Sequence, residues 1–174
     1  MAVSRDALLN ILKDAYTVYF DDVSSSCSAP FLAASYAFHS RNEGYMLSKK
    51  AKLWSAETHE YVYVFSVPEL NADVYEDCRK LACGLGMKNI RPHIEHMKSY
   101  ITALFVCDGV TDGAVQALRK TRMHRNFLFS LYGWMDLRTA AVDLASGSIT
   151  VNRAGSELKD FIRGNLEKIS LRRN

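Results

Sequence analysis

The sequence predicts an α+β fold, with helices flanking a single mixed β-sheet. Three observations support this: four segments show helical spacing, three alternating segments follow one another closely, and one later segment is apolar on both faces. Strands joined by short turns must pair antiparallel, so the three close segments are predicted to form a meander. A chain of 174 residues is long enough for one domain, 1–174, with its own core.

The first half should contain one helix and the meander. Ser4 is a typical N-cap, and Leu8, Leu12 and Tyr16 follow it at helical spacing. A loop of small residues then ends at Pro30. The three strands are predicted at 31–40, 45–55 and 60–67, with turns at 42–44 and 56–59.

The second half should place a central strand in the sheet. A helix over 70–87, ended by Gly84 and Gly86, is predicted to carry the chain across to a strand at 98–107. The later elements are predicted as a helix from 111 to 126, an extended segment broken at Gly133, a hairpin near 145–148, a closing helix over 155–169, and a disordered tail at 170–174.

Composition and charge indicate a cytoplasmic protein. Hydrophobic residues make up 48% and charged residues 24%, and the net charge of +3 is too small to indicate a dedicated nucleic-acid binder. The four cysteines match no zinc or redox spacing, so we expect reduced thiols. We see no signal peptide and no apolar run of about 20 residues, so no membrane partner is expected.

Three lysines stand out in the predicted second strand. Alternation puts Lys50 and Lys52 on its polar face, whereas Lys49 falls on the apolar side, between Leu47 and Ala51. A solvated sheet face explains the first pair, and a lysine stem lying on the core explains Lys49. The alternative is an anion-binding face.

A second basic group, Arg119, Lys120 and Arg122, lies near the end of the third predicted helix, where Arg119 and Arg122 would share a face. Basic helix ends are often simply solvated, but this group and the lysines together form a tentative anion-binding site. The acidic stretch 69–77 has the opposite charge. A weakly bound polyanion and a second copy of the chain both stay open as partners.

The strongest metal-ligand candidates are His93, Glu95 and His96, but a histidine pair three residues apart without a further ligand is a weak signal. We therefore predict a loop there, with no metal and no cofactor. His39 and His59 are placed at strand edges, with any contact between them expected only by chance.

The order helix, three-strand meander, helix, strand is also that of the restriction-endonuclease-like fold. Its chemistry needs a carboxylate on the second strand, and Glu and Lys two residues apart on the third. Here the second strand, 45–55, contains neither Asp nor Glu, and the residues two positions after Glu57 and Glu60 are His59 and Val62. No catalytic residue is therefore assigned.

Two stretches, RNEGYMLSKKAKLWSAETHEYVYVFS and AAVDLASGSITVNRAGSELKDFI, resemble a family of uncharacterised bacterial proteins. The resemblance implies a cytosolic bacterial protein of unknown function and transfers no catalytic residue. We predict a non-enzymatic binding or protein-interaction domain, with homodimer formation as an open option. The alternative is an enzyme, or a degenerate one, on a nuclease-like sheet with a basic face.

Overall fold

The architecture is a mixed β-sheet with two helices on each face. The computed structural model describes residues 3–45 and 52–171, except for the side chains of 43–45, 52–55 and 170. The helices are α1 (Arg5–Tyr16), α2 (Ala72–Asn89), α3 (Asp112–Lys120) and α4 (Leu158–Leu171). The strands are β1 (Asp21–Asp22), β2 (Leu32–Tyr45), β3 (Lys52–Leu70), β4 (His96–Val110), β5 (His124–Asn126), β6 (Trp134–Asp143) and β7 (Ser148–Val151). The predicted α+β class is confirmed.

The described strands form one sheet in the order β1-β2-β3-β4-β6-β5, and β7 pairs with β6. The β1, β2 and β3 neighbours are antiparallel, whereas β4 is parallel to both β3 and β6. The strand predicted at 98–107 therefore lies at the centre, reached through α2 as expected. Its residues from Ile101 to Cys107 are buried, because helices cover both of its faces.

The predicted meander is corrected in its boundaries. Residues 42–44 and 56–59 are not turns but continue β2 and β3, which form one long hairpin pairing Leu32 with Phe65 and Tyr45 with Lys52. Residues 57–59 also pair with β4, so backbone hydrogen bonds on both sides hold this segment extended. The third antiparallel strand is instead the two-residue β1, which precedes the hairpin.

Each face of the sheet carries its own core. On one face α1 and α4 pack over Val62, Val64 and Leu104, and on the other α2 and α3 pack over Phe65 and Phe105. Three helices begin at capping side chains: Ser4, Asn71 and Thr111 accept from the amides of Ala7, Val74 and Ala114. No helix in the described part of the chain is both long and apolar enough to cross a bilayer.

Gly84 and Gly86 do not end α2, contrary to prediction, since the helix runs on to Asn89. Gly86 is buried against the central strand, and a Cβ there would stand 2.6 Å from the Ile101 side chain. The missing side chain lets α2 approach the sheet. Gly133, in contrast, is the predicted break: its φ is +75°, and a Cβ would meet the carbonyl of Met97.

The third helix is shorter than predicted. It ends at Lys120, because the Thr121 hydroxyl donates to Ala117 O and the chain then turns extended. Arg122 therefore does not share a helix face with Arg119. At the carboxyl end α4 reaches Leu171, two residues into the segment predicted to be disordered, and residues 172–174 lie outside the described part.

Candidate functional site

A cavity of about 440 Å³ lies on the α2 side of the sheet, beyond the edge of that helix. Two cross-strand pairs, Ser35 with Tyr63 and Ala37 with Tyr61, form its floor together with His39, whose cross-strand partner His59 is not a lining residue. Alternation puts these side chains on one face of the hairpin. The walls are the end of α2, at Leu85, Lys88 and Asn89, and the segment with Val23, Ser26 and Cys27.

The wall segment is tied to the sheet by local hydrogen bonds. Val23 N donates to Ser35 O at 2.9 Å, and Ser35 N donates to the Ser24 hydroxyl at 3.0 Å. The Ser24 hydroxyl in turn donates to Asp22 Oδ1 at 2.6 Å. These hydrogen bonds fix the loop after α1 to β2, so the loop forms one wall of the cavity.

The Ser35 hydroxyl is a buried polar group without a hydrogen-bond partner among the described residues. Ser35 is 1% exposed and lies on the cavity side of β2. Leaving a buried hydroxyl unsatisfied costs about 1–3 kcal/mol, so native structures rarely keep one without a reason. A ligand in the cavity would satisfy it.

Two tyrosines supply further hydrogen-bonding groups to the cavity. Burial raises the pKa of Tyr63 to about 12. Burial also raises the pKa of Tyr61, whose hydroxyl donates to Asn89 O at 3.3 Å. Both phenols therefore stay protonated at neutral pH. The Tyr61 O–H is engaged by Asn89 O, so its oxygen can only accept from a ligand, and Tyr63 is the phenol that can donate.

A chain of hydrogen bonds leads from the cavity into a histidine cluster. His39 Nδ1 and His59 Nδ1 are 2.7 Å apart, so one ring must donate and the other accept. His59 Nε2 lies 3.6 Å from Glu57 Oε2, which only accepts. We therefore assign the His59 proton to Nε2, leaving Nδ1 to accept from His39. Burial, then His39 and His96, lowers the pKa of His59.

Glu57 is the centre of this cluster. Its Oε2 is 2.9 Å from His93 Nε2, and its Oε1 accepts from Arg41 at 3.1 Å. Arg41 also forms an ion pair with Glu95 at 2.9 Å. The cluster therefore joins the β2–β3 hairpin to the loop before β4, next to the cavity.

The three candidate metal ligands contact different partners. His93 contacts Glu57, and Glu95 contacts Arg41. His96 is 2% exposed, and its ring nitrogens face Tyr132 O at 2.6 Å and the Ser99 hydroxyl at 2.8 Å. Among the residues with described side chains, no group of three or more His, Cys, Asp or Glu is arranged to hold a metal ion.

The described members of the predicted anion-binding set lie on different elements. Lys49 and Lys50 lie outside the described residues, and Lys52 starts β3, with its side chain not described. Arg119, Lys120 and Arg122 are exposed at and beyond the end of α3.

Backbone registers separate Lys52 from Arg122. The carbonyl of Met123, next to Arg122, accepts a hydrogen bond from the Leu137 amide. Leu137 pairs with Ile101 on β4, which pairs with Tyr61 on β3, so all three lie at the same level of the sheet. The start of β3 at Lys52 lies about 30 Å along the strand from that level, at about 3.3 Å per residue. One anion could therefore not contact both backbones, and anion binding by either group stays a prediction.

Glu57 and Glu60 face opposite sides of the sheet. On the α1 side, Glu60 accepts from the Thr102 hydroxyl at 3.1 Å and lies 3.7 Å from Arg138, whose guanidinium stacks 3.4 Å above the Tyr100 ring. Burial raises the pKa of Glu60 despite Arg138. These two carboxylates of β3 therefore cannot share a metal ion.

Sequence reasoning missed the cavity and the pairing of His39 with His59. A readable signal was present, because a hairpin centred near residue 49 places His39 opposite His59 and Arg41 opposite Glu57. Opposite charges at cross-strand positions favour that register. The cavity depends on how the loop after α1 folds over the sheet, which no local pattern indicates.

A family model matches residues 4–164; its description is Domain of unknown function (DUF8052). The comparison with curated proteins finds no match, and the comparison with solved structures finds none either.

Proposed function

The chain belongs to this family of unknown function, and we propose that it is a small-ligand-binding domain whose site is the cavity between the β2–β3 hairpin and α2. Its volume of about 440 Å³ falls within the range of about 300–1,000 Å³ typical of ligand sites. Such sites combine apolar walls with a few convergent polar groups. Here Val23 and Leu85 are apolar, and Ser35, His39 and Tyr63 are polar.

The unpartnered Ser35 hydroxyl carries this proposal. A purely structural position would be better filled by alanine, because the hydroxyl is buried without compensation. A group that costs stability yet faces a cavity is typical of a binding site, where affinity and stability are in conflict. The histidine pair at the other end of the floor supplies a second polar contact.

A fragment library followed by thermal unfolding tests the proposal. Ligands that bind the folded form raise the melting temperature by mass action. We expect hits with the wild type, and we expect Ala37→Leu, which fills the floor of the cavity, to abolish their effect. Ala154→Leu is the matched control, because Ala154 lines a different depression beside Arg122 and His124. Hits that persist in Ala37→Leu would overturn the proposal.

The Ser35 hydroxyl gives a second test that does not depend on filling the cavity. Ser35→Ala should raise the free energy of unfolding by about 1 kcal/mol and weaken the binding of every hit. Tyr16→Phe removes another buried, unpartnered hydroxyl, on the α1 side of the sheet. It should also stabilise the protein but leave binding unchanged. Equal effects of the two variants on binding would contradict the role of Ser35.

A further inference from the structure

We infer that the cavity binds a small organic anion, with its acid group at the His39 and Lys88 end and its apolar body over Ala37 and Leu85. This inference rests on the proposed function and names the ligand class. It is supported by the charges around the cavity, by the partners of the histidine pair and by the layout of the floor.

The charge of the cavity lining is positive. Lys88 is a lining residue, and no Asp or Glu is among the described residues that line the cavity. Arg91 stands close by, with its guanidinium donating to Lys88 O at 2.6 Å. Asp22, beside the wall segment, has its carboxylate bonded to Ser24 and 3.7 Å from Lys13. An anion entering the cavity therefore meets cations and hydroxyl donors.

His39 offers a second polar contact at this end of the cavity. Its Nδ1 lies 2.7 Å from His59 Nδ1, and its Nε2 has no hydrogen-bond partner among the described residues. In the reverse of the tautomers assigned above, His59 Nδ1 donates to His39 Nδ1, and His39 Nε2 then carries a proton that it donates to the acid group. A bound anion would therefore select this second pair of tautomers.

The groups around this pair come from several elements. They are His59, Glu57 and Tyr61 on β3, Arg41 on β2, His93 and Glu95 before β4, His96 on β4, and Lys88 at the end of α2. Among them, Lys88 lines the cavity itself, and Glu57 stands behind His59 with its carboxylate engaged by Arg41 and His93. The acid group therefore meets Lys88 and the His39 ring rather than a carboxylate.

The floor sets the shape of the ligand. Ser35 and His39 lie on the same face of β2 and are four residues apart along the strand, about 13 Å. Between them lie Ala37 and the Tyr61 ring, with Leu85 opposite on α2. A molecule with an acid group, a flat apolar body and a hydrogen-bonding group at its far end would satisfy all three regions.

Three probes with the same ring and different charge test the inference: phenylacetate, phenylacetamide and 2-phenylethylamine. Calorimetric titration at neutral pH should give a Kd of about 1 mM for phenylacetate, as expected for a fragment of this size. The amide should bind about tenfold more weakly, because it lacks the charge-assisted contact.

His39→Gln should reduce the difference in affinity between acid and amide to about twofold. Ser35→Ala should weaken acid and amide equally. If the amide or the amine binds as tightly as phenylacetate, and Ala37→Leu abolishes that binding, the cavity is a ligand site but the anion inference is wrong. If none of the three binds while other fragments occupy the cavity, the inference is also overturned. Acid binding that survives Ala37→Leu would overturn the proposed function itself.

Discussion

At the scale of single residues, the Asn152 side chain joins three parts of the chain after α3. Its Oδ1 accepts from the amides of Thr139 and Gly155 at 3.0 and 2.9 Å. Its Nδ2 donates to the carbonyls of Thr121 and Leu137 at 3.2 and 2.9 Å. Asn152 is 1% exposed, so water cannot readily replace these bonds.

Asn152→Ala should lower the free energy of unfolding by about 3 kcal/mol, because three buried backbone groups and the partly buried Thr121 carbonyl lose a partner at once. Urea denaturation measures the loss. Asn126→Ala, at an exposed position on β5, is the control and should change stability by less than about 0.5 kcal/mol. A similar small change for Asn152→Ala would mean that the network adds little.

His59 should make the protein less stable in mild acid. Its lowered pKa means that the unfolded chain binds a proton more readily than the folded one. Stability should therefore be complete above the unfolded value of about 6.5 and fall as pH drops towards the folded pKa. Urea denaturation between about pH 7.5 and pH 5.5 should show this fall, and His59→Gln should flatten it.

The control for this pH effect is His124, whose pKa is raised by its hydrogen bond to Asp136. A raised pKa adds stability below the unfolded value, and that stability is lost as pH rises through the folded pKa. His124→Gln should therefore steepen the fall in acid. An unchanged slope in His59→Gln would show that the folded protein does not hold that ring neutral.

At the scale of elements, α2 shows why two glycines were misread as a helix end. Glycine after a run of helical spacing is the usual C-cap signal. Here Gly86 serves close packing instead, since Ile101 occupies the place of its side chain. A sequence pattern cannot distinguish the two roles, because the difference depends on a strand that is distant in sequence.

The two glycines of α2 should respond to alanine in opposite directions. Gly86→Ala should destabilise the protein by about 1–3 kcal/mol, because the added methyl overlaps the buried Ile101 side chain. Gly84 has no atom within 4 Å of an added Cβ. Gly84→Ala should therefore stabilise by about 0.5–1 kcal/mol through helix propensity. Chemical denaturation measures the free energy of unfolding of both variants. If Gly84→Ala destabilised the protein and Gly86→Ala stabilised it, α2 would not approach β4 so closely.

The β2–β3 hairpin shows the limit of local turn signals. Asn42, Glu43 and Gly44 have turn composition, yet they pair with residues 54–56 across the hairpin. In the second predicted turn, residues 57–59 pair with β2 on one side and β4 on the other, and this pairing outweighs the local turn preference of the single residues. The strand boundaries were therefore misjudged, although the antiparallel arrangement was predicted correctly.

At the scale of the whole molecule, the class and the central strand could be predicted because they follow from periodicity. A segment apolar on both faces has to be covered on both sides, and a helix of suitable length has to cross between parallel strands. The candidate site could not be predicted in the same way. It brings together residues from 23 to 89 that share no motif. Cytoplasmic location, bacterial origin and self-association stay predictions.

Divalent metal should not stabilise the protein. The side chains of His93, Glu95 and His96 are already bonded to separate partners, so a metal ion would have to break those contacts to bind. We expect the same melting temperature with manganese, zinc or a chelator. A rise of several degrees with either metal would mean that these side chains rearrange into a metal site, because only binding to the folded form raises the melting temperature.

The most direct test of the account is to map where phenylacetate binds. Methyl NMR spectra should be recorded during a titration of the labelled full-length chain. We predict shifts for the methyls of Val23 and Leu85, which line the cavity, and none for Val62 and Leu104, which are buried on the α1 side. Saturable shifts confined to Val62 and Leu104, or binding without any shift at Val23 and Leu85, would contradict a ligand site between the hairpin and α2.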